Sequence, residues 1–211
     1  MFITFEGIEG CGKSTQVKLL GEELRLRGYG VTLTREPGGC PIADKIRAIL
    51  LDADNTAMTP LTELLLYAAA RSQHLHDKVR PALESGEIVI CDRFTDATLA
   101  YQGAGRSLDQ ALIRQLNDLA TCGLAPDLTI LMDCPVEIGL ERALSRIGAT
   151  QGAKEERFEL ESLQFHEAVR NGYLLLAGNE PKRFALQDAT GPIPQIAEQI
   201  AAIVTARLGA R

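Results

Sequence analysis

The sequence predicts an α/β fold, a five-stranded parallel sheet flanked by helices, and three observations carry that prediction. Short apolar, β-branched runs alternate with stretches of helical period along the whole chain. The first apolar run passes into the first helical stretch through a glycine-rich turn, "GIEGCGKST". No repeat, low-complexity tract or Pro/Gly/Ser-rich linker divides the 211 residues, so one domain spanning 1–211 is expected.

In chain order, strands are expected at Phe2–Glu6, Val31–Arg35, Glu87–Cys91, Leu128–Asp133 and Arg183–Gln187, each a short run rich in Ile, Val, Thr, Leu or Phe. Helices are expected at Lys13–Arg27, Pro41–Leu51, Pro60–Ser85, Leu108–Thr121, Val136–Ser145, Phe158–Ala177 and Pro192–Leu208, where apolar residues recur at helical spacing. The segment Ser145–Phe158, "SRIGATQGAKEERF", breaks the pattern. It is polar, holds two glycines and carries Arg146, Lys154 and Arg157, so it is expected to be a mobile lid.

Composition excludes several roles. Hydrophobic residues at 45% and charged residues at 24% are the balance of a soluble globular domain. A net charge of −6 argues against binding a nucleic-acid polymer, which needs a basic footprint, while a local arginine cluster can still hold a small anion. No apolar run approaches the roughly 20 residues that span a bilayer, and "MFITFEG" lacks the basic start and long apolar core of a signal peptide. The five cysteines are scattered without CxxC pairing, which fits reduced thiols in a cytoplasm better than disulfides or zinc.

Gly7 to Ser14 fits G-x-x-x-x-G-K-[ST] at every fixed position, between a strand and a helix as the motif requires. Glycine inside either element costs about 1 kcal/mol against alanine. A bound phosphate offsets that cost, because glycines let backbone N–H groups turn inward around its oxygens. The expected ATP contacts are Gly7, Ile8, Glu9, Gly10, Cys11, Gly12, Lys13, Ser14 and Thr15. Lys13 would reach the β- and γ-phosphates and the Ser14 hydroxyl would ligate Mg²⁺. Cys11 is a candidate for oxidation or alkylation that would impair ATP binding.

Three further stretches bear on the acceptor. "TREPGGCPIADKIRAILL" offers Arg35 and Arg47 around a Pro-Gly-Gly turn. In "LLLYAAARSQHLH", Tyr67 and Arg71 lie four apart and share a helix face, which suits a planar ligand with carbonyl edges; core packing of Tyr67 and a solvated Arg71 is the plainer alternative. In "IVICDRFTDATLAYQGAGR", Asp92 and Arg93 close an apolar strand, at the sheet edge where open α/β folds bind ligands. Arg93 would hold a phosphate, and Asp92 would stand in the outer shell of the metal or orient Arg93.

These stretches, with "PDLTILMD" and "ERFELESLQFHEAVRNGYLLL", resemble the bacterial thymidylate kinases over nearly the whole chain. The phosphate loop is shared by many families, whereas "TREPGG" combined with "DR…AYQG" is far more specific. The resemblance implies a nucleoside monophosphate kinase fold and the reaction ATP + dTMP → ADP + dTDP with Mg²⁺, in a homodimer. Tyr67 would stack on thymine, where most bacterial relatives carry Phe, and Arg71 would bond its carbonyl edge. Arg93 would hold the dTMP phosphate, with Arg35 and Arg47 lining that end; Thr98 and Gln102 would contact the base. Tyr101 would crowd the sugar C2′, and Glu9 would meet the 3′-hydroxyl or the metal's water shell. Since the phosphate loop holds no arginine, the lid would supply the catalytic one, with Arg157 and Arg146 ahead of Lys154; Arg142 would cover the adenine. The alternatives are a kinase for another nucleoside monophosphate or a deoxynucleoside, a switch or motor ATPase, and a nucleotide-binding protein without turnover.

Overall fold

The computed structural model describes residues 1–149 and 157–209, with side chains omitted for 146–149. Five parallel strands, β1 (Phe2–Glu6), β2 (Val31–Arg35), β3 (Ile88–Asp92), β4 (Leu128–Asp133) and β5 (Phe184–Asp188), form one sheet in the order β2-β3-β1-β4-β5. Parallel strands need helical crossovers, and these cover both sheet faces, which is why the strands are apolar almost throughout. Ile3, Phe5, Ile90 and Ile130 are fully buried. β1 lies in the middle and pairs Phe5 with Asp92 of β3 and with Ile130 of β4. The chain returns across β1 between β3 and β4, so the crevice at the carboxyl ends of β1 and β3 is the topological switch point.

The helices are α1 (Lys13–Leu26), α2 (Pro41–Leu51), α3 (Pro60–His74), α4 (Arg80–Glu84), α5 (Thr95–Thr98), α6 (Gln110–Thr121), α7 (Val136–Ala149), α8 (Leu163–Asn179) and α9 (Ile193–Gly209). The expected helix Pro60–Ser85 is one rod with a wide turn at Leu75–Val79 joining α3 to α4. Pro81 explains the widening, because it has no N–H to donate and its ring would clash with a carbonyl one regular turn back. Arg80 N–H accordingly bonds Leu75 O, five residues away.

Three expectations are corrected. Thr95–Gly105, assigned above to neither strand nor helix, is helical, with α5 running into wide turns over Leu99–Gly105. Packing against α8 holds it there: a Cβ on Gly172 would lie 2.9 Å from Ala104 Cβ, and one on Gly105 would strike the Phe165 ring. The helix expected from Phe158 begins at Leu163, because Ser162 caps it by accepting a hydrogen bond from Phe165 N–H. Of the segment expected as a lid from Ser145 to Phe158, the first residues are helical, since α7 continues to Ala149 and carries Arg146; Lys154 lies outside the described residues.

Candidate active site

The phosphate loop leaves the end of β1 and enters α1 at Gly12, whose φ of +90° is left-handed. No side chain caps this helix and no acidic residue occupies its first turn, so its N–H groups and positive dipole end face the crevice. Nothing lies within 4 Å of where a Gly12 Cβ would stand. Gly10 is glycine for a different reason. At φ +68°, a Cβ there would come within 1.9 Å of Gly139 O on α7, so the loop leans on that helix.

Lys13 is buried, and its Nζ donates to Gly7 O at 3.0 Å and Ile8 O at 2.7 Å, spanning the loop from within. Cys11 is also buried, its thiol donating to Ile8 O, which shields it from the alkylation expected of an open loop. Ser14 is exposed, as is Thr15 beside it. The Ser14 hydroxyl donates to Asp92 Oδ2 at 2.5 Å, placing a hydroxyl and a carboxylate together at the mouth. This is a hard oxygen donor set of the kind Mg²⁺ takes, and it is small enough to need phosphate oxygens and water to complete it. Among the described residues no cluster of three or more His, Cys, Asp or Glu could hold a metal alone.

Arg93 follows β3 with φ +70°, a strained conformation for a side-chain-bearing residue. Three of its five N–H groups are engaged: Nη1 donates to Gly7 O at 3.0 Å and Tyr173 Oη at 3.2 Å, and Nη2 to Glu9 Oε1 at 3.0 Å. It also lies 4.8 Å from the Tyr101 ring centroid. Tyr101 Oη donates to the same Glu9 oxygen. Burial works against the Glu9 charge, but His166, Arg93, Lys13 and Tyr101 outweigh it and bring the carboxyl down to about 2. Glu9 is therefore an ionised group inside a phosphate site, compensated by two cations.

A cavity of about 230 Å³ runs from this cluster between α2, α3 and α5. Lys13, Arg35, Arg47, Arg71 and Arg93 line it against Glu9, Glu36, Asp92 and Glu159, a local positive excess in a chain of net charge −6. Arg35 is half exposed at the rim, 3.1 Å from Asp44, and Arg47 donates to Pro37 O. Tyr67 lines the wall, as do Tyr101 and Gln102.

Arg71 lines the cavity too, yet it is 2% exposed. Nε donates to Glu36 Oε2 at 2.8 Å, Nη1 to Asn117 Oδ1, and Nη2 to Phe94 O and Thr98 Oγ1. The solvated alternative for this arginine is thereby overturned. Four of its five N–H groups serve the protein and one remains for a ligand. Thr98 does not reach the cavity wall in this arrangement; its hydroxyl stands behind Arg71 and holds it.

The remaining expected residues lie farther out. Arg142, one turn beyond Gly139, donates to Ala189 O after β5, beside the outer flank of the phosphate loop. Arg157 is turned to the acceptor side, donating to Leu50 O at 2.6 Å and Glu63 Oε2 at 2.5 Å. Glu63 is 1% exposed and also accepts from Gln102 Nε2 at 2.7 Å and from Arg106.

Sequence reasoning missed Glu63, His166 and Tyr173, all of them buried. Tyr173 Oη donates to Glu6 Oε2 at 2.8 Å while accepting from Arg93. The one available signal was a polar side chain on the apolar face of a helix, as His166 and Tyr173 are on α8.

Residues 5–200 match the family described as thymidylate kinase. The chain is similar to the thymidylate kinase of Geotalea uraniireducens, at 63% identity over 98% of this chain and 97% of that one. It is likewise similar to that of Geobacter sulfurreducens, at 60% identity over 100% and 99%. The solved thymidylate kinase of Ehrlichia chaffeensis superposes with a TM-score of 0.76 at 35% identity, covering 97% of this chain and 98% of that chain.

Proposed function

The chain belongs to the thymidylate kinase family, and from that premise we propose that it transfers the γ-phosphoryl group of ATP to dTMP, giving ADP and dTDP. The observation that carries the proposal is the junction of two sites. An uncapped, glycine-bounded helix N-terminus opens beside Arg93 and Glu9, and a cavity with Tyr67 and Arg71 extends from them.

ATP phosphates sit on the α1 N-terminus, with Lys13 exchanging the Gly7 and Ile8 carbonyls for β- and γ-phosphate oxygens. Ser14 would hold Mg²⁺ directly and Asp92 from its outer shell, and the ion when bound neutralises charge on the phosphate oxygens. Arg93 binds the dTMP phosphate, presenting an oxygen in line with the γ-phosphorus. The new O–P bond forms as the bond to the β-phosphate oxygen breaks, and no enzyme intermediate intervenes. The acceptor is already an ionised nucleophile, so catalysis consists of positioning and charge stabilisation.

Glu9 faces the acceptor 3′-hydroxyl, Tyr101 crowds C2′, Tyr67 stacks on thymine, and the spare N–H of Arg71 bonds a thymine carbonyl, with Gln102 on the adjoining wall. Arg35 and Arg47 line the phosphate end, and Arg142 covers adenine. Lid closure brings Arg157 or Arg146 to the transferring group; for Arg157 this means leaving Glu63 and Leu50.

The functional unit is a homodimer in the cytoplasm, paired through the adjoining helices α3 and α6, where Leu61, Leu65, Leu112 and Leu119 are exposed. No described helix is long and apolar enough to cross a membrane. A coupled ADP-release assay offering dTMP, dUMP, dCMP, UMP, thymidine and water tests the reaction. ADP formation stimulated chiefly by dTMP is expected; stimulation by another monophosphate or a nucleoside would favour the alternative acceptor, and release indifferent to acceptor would overturn both.

A further inference from the structure

Beyond its influence on the Glu9 charge, His166 has no role in the reaction described above. It is 0% exposed in the first turn of α8, directly after the Ser162 cap. Neither of its ring nitrogens has a hydrogen-bond partner among the described residues, and neither has Glu9 Oε2. These orphans face each other: Nδ1 lies 3.3 Å from Oε2, within ion-pair range although the angles fall short of a hydrogen bond. A buried polar group left unpaired costs about 1–3 kcal/mol, so a fully buried histidine beside a half-satisfied carboxylate calls for an explanation.

The geometry points to His166 as a positioning residue for Glu9, carrying its proton on Nδ1 and directing it at Oε2. Two lone pairs facing across 3.3 Å would repel, and the tautomer with its proton on Nε2 produces that clash against an ionised carboxylate. The Nδ1–H tautomer turns the same contact into attraction, and a small side-chain adjustment completes the bond.

The consequence reaches Arg93. Glu9 Oε1 accepts from both Arg93 and Tyr101, so a carboxylate pinned at Oε2 cannot rotate out of that clamp. His166 thereby ties the first turn of α8 to the phosphate loop. Arg93, Lys13 and Tyr101 are the other charged or titratable groups facing Glu9.

Ring ¹⁵N spectroscopy of the full-length protein decides the tautomer. The chain has three histidines, so the signals absent from His166→Asn identify the residue. A proton on Nδ1 is expected; a bare Nδ1 with the proton on Nε2 would overturn the inference. Kinetics supply a second arm, which rests on the proposed reaction. His166→Asn keeps a donor near the Nδ1 position, and His166→Leu is the same size without one. The KM for dTMP is expected to rise on the order of tenfold in the leucine variant and to stay within about threefold in the asparagine variant, with matching thermal melts. Equal losses in both would refute the positioning role. Failure of the wild type to phosphorylate dTMP would refute the reaction and leave the spectrum to judge His166.

Discussion

Replacing Arg71 with methionine removes a buried charge while keeping most of the side-chain volume, and the structure sets the expected cost. Glu36, its partner at 2.8 Å, is 4% exposed and would retain only His74 at 3.0 Å. Asn117 Oδ1, Phe94 O and Thr98 Oγ1 would lose their donor as well. Breaking a buried pair by deleting one partner costs about 3–5 kcal/mol, because the survivor is left uncompensated. For a chain of this size that corresponds to a melting temperature lower by roughly 6–20 °C, read at fixed protein concentration.

The pH dependence gives the prediction its sign. In the wild type, burial works against Glu36 but Arg71 and His74 hold its carboxyl below the ordinary 4.5. That stabilisation is present above pH 4.5 and is lost as pH falls through the lower folded value. Without Arg71, burial dominates and Glu36 titrates above 4.5, so the variant gains stability on acidification. The gap between the two proteins should therefore narrow from pH 7 to pH 4, and adding Glu36→Gln to the variant should recover part of the loss at pH 7. Urea unfolding across pH measures it. A loss under about 1 kcal/mol, or a gap that widens on acidification, would refute the reasoning.

Other expectations follow from the same contacts. Gly10→Ala places a Cβ on Gly139 O at left-handed φ, so ATP affinity in titration calorimetry should fall at least tenfold and the melting temperature should drop; unchanged binding would mean the loop does not lean on α7. Ser14→Ala should raise the Mg²⁺ concentration for half-maximal ADP release while leaving the melting temperature nearly unaltered, since the Ser14–Asp92 bond is exposed; an unshifted Mg²⁺ curve would remove Ser14 from the metal site. Glu6 is pushed up to about 8 by burial and then by Asp96, so the folded state holds a proton that the unfolded chain has released. Its contribution to stability should fall by up to about 1.4 kcal/mol per pH unit between roughly 5 and 8, and Glu6→Gln should flatten that slope in denaturant titrations.

Much of this was legible because it is local. Glycine at fixed spacing before Lys13 and Ser14 specifies a loop whose backbone geometry needs few distant contacts, and β-branched runs mark strands buried on both faces. The one-residue offsets at β3 and β5 come from register: Asp92 pairs with Phe5 and Arg35, and Asp188 with Asp133, so the ladders reach one residue beyond the apolar runs. Thr95–Gly105 was not legible, because two glycines and a threonine pair favour a loop until α8 packs against them.

The sequence by itself therefore determined the α/β class, the phosphate loop and the set of cationic and aromatic residues available to an acceptor. The tertiary structure decided who holds whom. It committed most of Arg71 to Glu36, Asn117 and Thr98, turned Arg157 toward Glu63, and set Tyr173 and His166 of α8 against Arg93 and Glu9. The physical reason is that a motif satisfied by its own backbone is written in consecutive residues. A buried charge takes whatever partners folding brings beside it, from elements far apart in the chain.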